Sequence, residues 1–536
     1  MKRFKQHFAA ALALLLILAV TACGTANNNQ PTNDTADTTE PVATGEELVI
    51  GVSGSISTLD TNQEAGILNY YITALVNEGL VGLSNDGQPV PGLAESWDTE
   101  DYSTWTFHLR SDAKFSDGSP VTIDDIIWSI ERAQDPTQSP GVSIHFPDSI
   151  QTVERVDDAT LTITLDEPHP SFIWSVSNVG GLFVTQQEWA ESVSAIGSSQ
   201  DLLLGSGPFQ VTEFAPGSHV TLQAQDYWWG GQSEVQNLRF DFIGDEATRL
   251  LAFTQGSIDF ALDIPVEQNE QWEGVDGATV DFYANRTYYG LTLDVTVEPF
   301  DNEHIRKAVA YAMNAAGVVD SVLRGHATVA TAITPPEQFA SVMSVDEART
   351  LLEGVAHYTY NMDRAREEFE LSGAEPFETT IYYPDSFPNV GRASLVLADS
   401  LSEIGITANV TEIPLDQWLS QIGNGEQGIA WMILFATSSQ PHEMVTWLLS
   451  GAGPSSNPAN FTDEEIAGLI ASVVARPPAD GIDNLVKAHD LAQAQAIYVP
   501  VWWGQSAIAW NARINVTDFN TYTMLSENWI QHFTFN

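Results

Sequence analysis

Several residue groups in the chain could do chemistry, and spacing removes most of them. His442-Glu443-Met444-Val445-Thr446 begins like a zinc-hydrolase helix. Two imidazoles must stand four residues apart to share one ion, and Thr446 occupies the second place. Gly51-Val52-Ser53-Gly54-Ser55 holds glycines and serines, but not in the order of a nucleophile elbow. Asp124 and Asp125 are adjacent carboxylates. They follow Thr122 at capping-box spacing, so they read as first-turn acids that satisfy backbone donors and the helix dipole. The eleven histidines are scattered without ligand spacing, so neither a metal site nor a cofactor is expected. A secreted glycoside hydrolase is the surviving enzymatic alternative. It needs only two carboxylates about 5 to 10 Å apart, and none of the 71 acids is singled out by pattern.

Cys23 is the one cysteine in 536 residues. It follows Val20-Thr21-Ala22 at the end of an apolar run that opens with Lys2, Arg3 and Lys5, the three-part pattern of a secretory signal. The run is shorter than the roughly 20 apolar residues that span a bilayer. The tetrad resembles a bacterial lipobox, which implies removal of residues 1–22 and lipid on Cys23. Residues 24–46 hold almost nothing large and apolar, and they read as a disordered tether. As a flexible coil of 23 residues it reaches about 25 to 30 Å. The expected location is extracytoplasmic, anchored to a bacterial membrane through Cys23.

Without its leader the chain carries 17 basic residues against 71 acidic ones, a formal net charge of -54. Nucleic acid is excluded as a partner, because no basic patch could neutralise phosphates against such a field. The acids are spread along the whole chain, which points to a hydrated surface rather than to one acidic cleft. About 490 folded residues exceed one ordinary core and predict at least two lobes.

The elements that must position any site read as follows. Residues 47–52 form a strand, and residues 67–77 a helix. Residues 105–110 and 160–165 alternate with period two as strands, separated by the helix that Thr122 opens. Further strands fall at 210–214, 219–224 and 239–243. A helix over 303–314 follows. Then come strand 379–383, helix 390–403 ending at Gly405, and strand 406–410, an order that implies a crossover within a mixed or parallel sheet.

Six blocks in register resemble the family 5 extracellular solute-binding proteins. They are Leu93-Ala94-Glu95-Ser96-Trp97, the 105–125 stretch through Lys114-Phe115-Ser116-Asp117-Gly118, Gly205-Ser206-Gly207-Pro208-Phe209, Tyr227-Trp228-Trp229-Gly230-Gly231, residues 305–314 and Ile404-Gly405-Ile406. The resemblance implies an α/β, two-lobed periplasmic-binding-protein-like fold of type II (Venus-flytrap), with mixed sheets and an inserted β-rich subdomain. Lobe 1 would combine residues 47–65, 205–285 and 505–536, with 66–204 inserted into it, and lobe 2 would run over 286–504. It also implies a monomer that captures a peptide-like or other small solute between closing lobes and delivers it to the membrane permease of an ABC importer. An oligosaccharide or a metal chelate is the alternative cargo.

By the same resemblance, two stretches would pair with ligand main chain: Glu64-Ala65-Gly66-Ile67, and the strand holding Leu434 and Phe435. Such pairing gives affinity without reading side chains. Peptide receptors of the family keep an aspartate after the second stretch to neutralise the ligand's ammonium group. Thr437 stands there, and Gln440 replaces a nearby acid. A hydroxyl cannot offset a buried charge, so either another acid such as Glu443 takes over or free-amine peptides bind weakly. Trp418, Trp431, Trp502, Trp503, Tyr288 and Tyr289 fall in segments near the family's cleft, and each could equally be core. Arg286 could hold a carboxylate or make a surface ion pair.

Overall fold

The computed structural model describes residues 46–143, 150–424, 427–436, 438–450 and 457–536. The signal, Cys23, the tether and Thr437 lie outside the described residues. Residues 45–536 form one compact unit.

A nine-stranded mixed sheet is the frame. Its strands are β1 (Glu47–Val52), β2 (Phe209–Ala215), β3 (His219–Ala224), β4 (Asn237–Phe242), β5 (Phe260–Ile264), β6 (Thr279–Leu293), β7 (Ala327–Val329), β8 (Ile429–Phe435) and β9 (Tyr498–Trp510). The order is β8-β6-β9-β5-β1-β4-β3-β2, with β7 on β9. β1 is parallel to both β4 and β5. Their carboxyl ends therefore open on one side, where open α/β sheets bind ligands.

Only the long strands β6 and β9 run through both halves. Their pairing continues from Thr279↔Trp510 to Thr292↔Tyr498, with register shifts between Ala284 and Tyr288 and between Tyr289 and Gly290. In the half that carries β8, the sheet is covered on both faces. Leu291, Trp431 and Trp502 pack with Val309 and Leu397 on one side, and Tyr288, Met432 and Trp503 pack with Leu448 and Ile470 on the other. Strands buried on both faces lose the alternation that marks a half-exposed strand.

A separate four-stranded antiparallel sheet occupies Ala94–Asp98, Thr104–Leu109, Ile150–Arg155 and Thr160–Leu165 and has its own core around Phe107, Phe115 and Ile126. Helix α1 is Ile67–Thr73, shorter than the sequence suggests, because after Thr73 the chain leaves the helix for a buried turn at Ala74 to Asn77. In helix α2 (Ile123–Gln134) both bonds of the capping box form: Asp125 N donates to Thr122 Oγ1 (3.3 Å) and Thr122 N to Asp125 Oδ2 (3.0 Å). Asp124 instead pairs with Arg155 (2.9 Å). The adjacent carboxylates thus serve structure. Strands Phe377–Pro384 and Ile406–Ile413 pair in parallel around helix α3 (Pro388–Ser402), and Gly405 follows it at φ 93°, a conformation that favours glycine.

Candidate functional site

Between the two halves lies a cavity of about 390 Å³. One wall is residues 265–268, directly after β5, and the other is residues 386–390 at the start of α3. Tyr289 on β6 and Trp502 on β9 form the floor; their rings stack 4.6 Å apart at 15°, and Phe387 meets Tyr289 edge-on at 6.5 Å. Burial pushes the Tyr289 phenol up to about 12, so it is a neutral donor at physiological pH. Gly504 also lines the cavity, and a Cβ there would lie 2.6 Å from the Asn285 side chain. A second void, beside the buried Asp60–Arg132 pair, measures about 10 Å³, room for about one water.

The edge of the sheet beside this cavity is β8, paired on one side only, with β6. Ala436 N donates to Arg286 O, and the register places Phe435 opposite Thr287 and Leu434 opposite Tyr288. In an antiparallel ladder, bonded and non-bonded pairs alternate. Leu434 therefore turns its N–H and C=O to β6, while Ile433 and Phe435 turn theirs to the open edge. Among the described residues no strand is hydrogen-bonded to that edge, although strand Phe377–Pro384 packs close to β8, and Phe435 is 61% exposed. Ile433 sits opposite Tyr289, which joins the open edge to the cavity floor.

Glu64, Ala65, Gly66 and Ile67 lie past the carboxyl end of β1. Glu64 Oε2 accepts from Ser57 N (2.9 Å) and Thr58 N (3.2 Å), which fixes the turn. Gly66 is extended (φ -150°, ψ 151°) ahead of α1, Ala65 is exposed and Ile67 is 44% exposed. None of the four lines the cavity.

Of the aromatic residues, Trp502 and Tyr289 reach the cavity and the others do not. Trp431 is fully buried and donates to Ser394 Oγ (2.7 Å); Trp503 donates to the Ala332 carbonyl (3.0 Å); Tyr288 is fully buried and Trp418 nearly so. A sheet covered on both faces turns rings of either parity into core. Arg286 lies apart from the cavity. It is buried, stacks on Tyr522 at 4.8 Å, and donates to Thr521 Oγ1 (3.2 Å) and the Ser438 carbonyl (3.3 Å), so it neither faces solvent nor lines the cavity. Gln440 is buried too, accepting from Ser171 Oγ (3.1 Å), while Ser439 Oγ donates to Gly87 O (2.9 Å). Loop 438–440 thus bridges to Ser171 and Gly87. Glu443 accepts from Ser438 N (2.9 Å) and holds that loop. Arg286→Ala is expected to lower the unfolding free energy by about 1 to 3 kcal/mol through unmet polar groups, read by urea titration. Unchanged stability with lost affinity for carboxylate ligands would restore a ligand role.

Residues 265–268 and 386–390 carried no sequence signal of their own. The carboxyl end of β5 becomes a ligand-facing position only once β5 is known to lie parallel to β1. Among the described residues, no three His, Cys, Asp or Glu side chains gather as a metal site, and no helix is long and apolar enough to cross a membrane.

A two-lobed α/β frame with a cavity at its crossing strands defines a binding protein of the clamshell type. The comparisons give the family: residues 88–456 match the model for bacterial extracellular solute-binding proteins, family 5 (middle region), and the chain belongs to that family. It is 25% identical over 465 residues to a probable D,D-dipeptide-binding periplasmic protein, DdpA, of Escherichia coli strain K12, covering 84% of this chain and 86% of that one. It is 29% identical over 360 residues to the dipeptide-binding protein DppE of Bacillus subtilis strain 168, covering 63% and 65%. In fold it resembles the ABC transporter-associated periplasmic binding protein DppA of Helicobacter pylori, solved with the peptide STSA. The TM-score is 0.74 at 21% identity, over 91% of this chain and 98% of that one.

Proposed function

We propose that this protein is the extracytoplasmic, lipid-anchored binding component of an ABC importer, and that it captures a peptide-like solute for delivery to the permease. The observation that carries the reading is the open edge of β8, where Ile433 and Phe435 present main-chain groups beside the cavity. An extended peptide satisfies such an edge by adding a strand, whereas a sugar offers no matching row of donors and acceptors. Family membership and the dipeptide-binding relatives support it. In this reading Cys23 carries the lipid and the protein acts as a monomer. Its lobes are 47–65, 205–285 and 505–536 against 286–504, with 66–204 inserted. Closure requires that the bound state favour the closed form.

Mass spectrometry of the solute that copurifies with the chain, followed by calorimetry with di- to pentapeptides and with oligosaccharides, tests this. Peptide binding without product is expected. Oligosaccharide binding in place of peptide would overturn the cargo, and turnover abolished by substituting a carboxylate pair would overturn the receptor.

A further inference from the structure

The cavity is asymmetric in charge. Its lining includes one carboxylate, Glu267, one imidazole, His326, which stacks on Phe282 at 4.1 Å, and no lysine or arginine. Glu267 is partly exposed, and among the described residues no cation lies within ion-pair distance of it. The nearest acids along the chain are engaged. Asp263, at the end of β5, accepts from Tyr283 Oη (3.2 Å), and Glu270 lies 3.8 Å from Arg324. The same lining carries an aromatic group, Tyr289, Trp502 and Phe387. Electron-rich ring faces attract cations and give anions nothing. The chain's large negative charge adds a field that a low-dielectric cleft focuses on entering ions.

We infer that this cavity selects a positively charged group of the ligand, a protonated amine or a guanidinium, with Glu267 as its counter-ion and Tyr289 and Trp502 as its aromatic wall. The inference deepens the peptide reading and rests on it for the identity of the ligand. A cation entering the cavity loses water, a cost of several kcal/mol that an adjacent carboxylate offsets. An anion would meet that carboxylate with no lysine or arginine to compensate. The charged group has two sources, the amino terminus of a peptide or a basic side chain, and both present the same chemistry to Glu267.

The test is calorimetry on the full-length chain in detergent and on its Glu267→Gln and Glu267→Arg variants. Glu267 makes no ion pair, so both variants are expected to fold. The probes are tri-alanine, N-acetyl-tri-alanine, and N-acetylated Ala-Lys-Ala and Ala-Glu-Ala. If the amino terminus is the source, acetylating tri-alanine weakens binding to the unsubstituted protein tenfold or more. If a side chain is the source, the lysine peptide binds at least tenfold tighter than N-acetyl-tri-alanine. In either case the ratio falls below twofold in Glu267→Gln, and Glu267→Arg prefers the glutamate peptide. Ratios that do not change with residue 267, or a glutamate peptide bound by the unsubstituted protein as tightly as the lysine one, overturn the inference. Agmatine and succinate separate it from the peptide reading. If no peptide binds but agmatine does, and Glu267→Gln abolishes that, the peptide reading fails and the cation site stands. If agmatine also fails to bind, the site falls with it.

Discussion

Phe435→Pro is expected to weaken ligand binding by about ten- to a hundredfold, the equivalent of the ~1 to 3 kcal/mol that one unmet buried hydrogen-bonding group costs. The unfolding midpoint is expected to stay close to that of Phe435→Ala. Proline removes a backbone donor, and it is tolerated in a strand where that donor faces outward. The register settles which way each donor points. Ala436 N bonds to Arg286 O, so the Leu434 N–H faces β6 and the Phe435 N–H faces the open edge. Leu434→Pro therefore breaks the β8–β6 ladder and is expected to unfold at markedly lower denaturant. Phe435→Ala separates the ring from the backbone, since the ring is largely exposed and its loss costs the fold little. Calorimetry with the copurified solute, beside urea titration of all three variants, makes the comparison. If Phe435→Pro binds as tightly as Phe435→Ala, the ligand does not pair with this edge.

The second large effect is one of pH and lies away from the cavity. Glu78, in the turn after α1, and Glu527, near the carboxyl terminus, are buried against each other. Glu78 Oε1 accepts from Trp229 Nε1 (2.6 Å) and Trp228 Nε1 (3.3 Å), and Arg110 stacks 3.3 Å over the Trp229 ring. Burial pushes the Glu78 carboxyl up to about 7, against the bonds from the two indoles and the attraction of Arg110. Glu527 is pushed well above the carboxylate range, by burial first and then by Glu78. In both cases the folded protein holds protons that the unfolded chain releases. The pair's contribution to stability is thus fully present below the ordinary glutamate range and is lost as pH rises through 7 and beyond. The slope is about 1.4 kcal/mol per pH unit for each proton held, so Glu78 alone accounts for about 3 kcal/mol between its ordinary range and pH 7.

Glu527→Gln keeps the shape and removes one of the two charges. It is expected to match the unsubstituted protein near pH 5 and to be more stable by about 3 kcal/mol at pH 8. Urea titrations at pH 5, 6, 7 and 8 read the difference directly. Other carboxylates titrate alike in both proteins and cancel. Parallel stability curves for the two proteins would show that Glu527 does not hold its proton in the folded protein.

The distinction between local and long-range information is clear in particular residues. Strands 47–52, 160–165 and 219–224 have the bounds that alternation and flanking turns indicate, because those signals act over a few residues. The capping box at Thr122 and the stop at Gly405 were legible for the same reason. Trp431, Trp503 and Tyr288 were not assignable from sequence, since an aromatic ring suits a cleft and a doubly covered sheet equally well. Arg286 and Gln440 look like surface polar groups along the chain, and only packing against Thr521, Tyr522 and Ser171 shows them to be buried.

By itself the sequence determined the family, the two-lobed α/β architecture, the absence of any metalloprotease or nucleophile-elbow pattern, and the departure at Thr437. All of these are carried by residue types at short spacings, which a linear reading retains. The tertiary structure decided which face of each strand is covered, which main-chain groups of β8 stay open, and that Glu267 shares a cavity with Tyr289 and Trp502. Those facts join positions far apart along the chain, β8 with β6 and Trp502 with Glu267, and only the strand register and the parallel pairing of β1 with β5 bring them together.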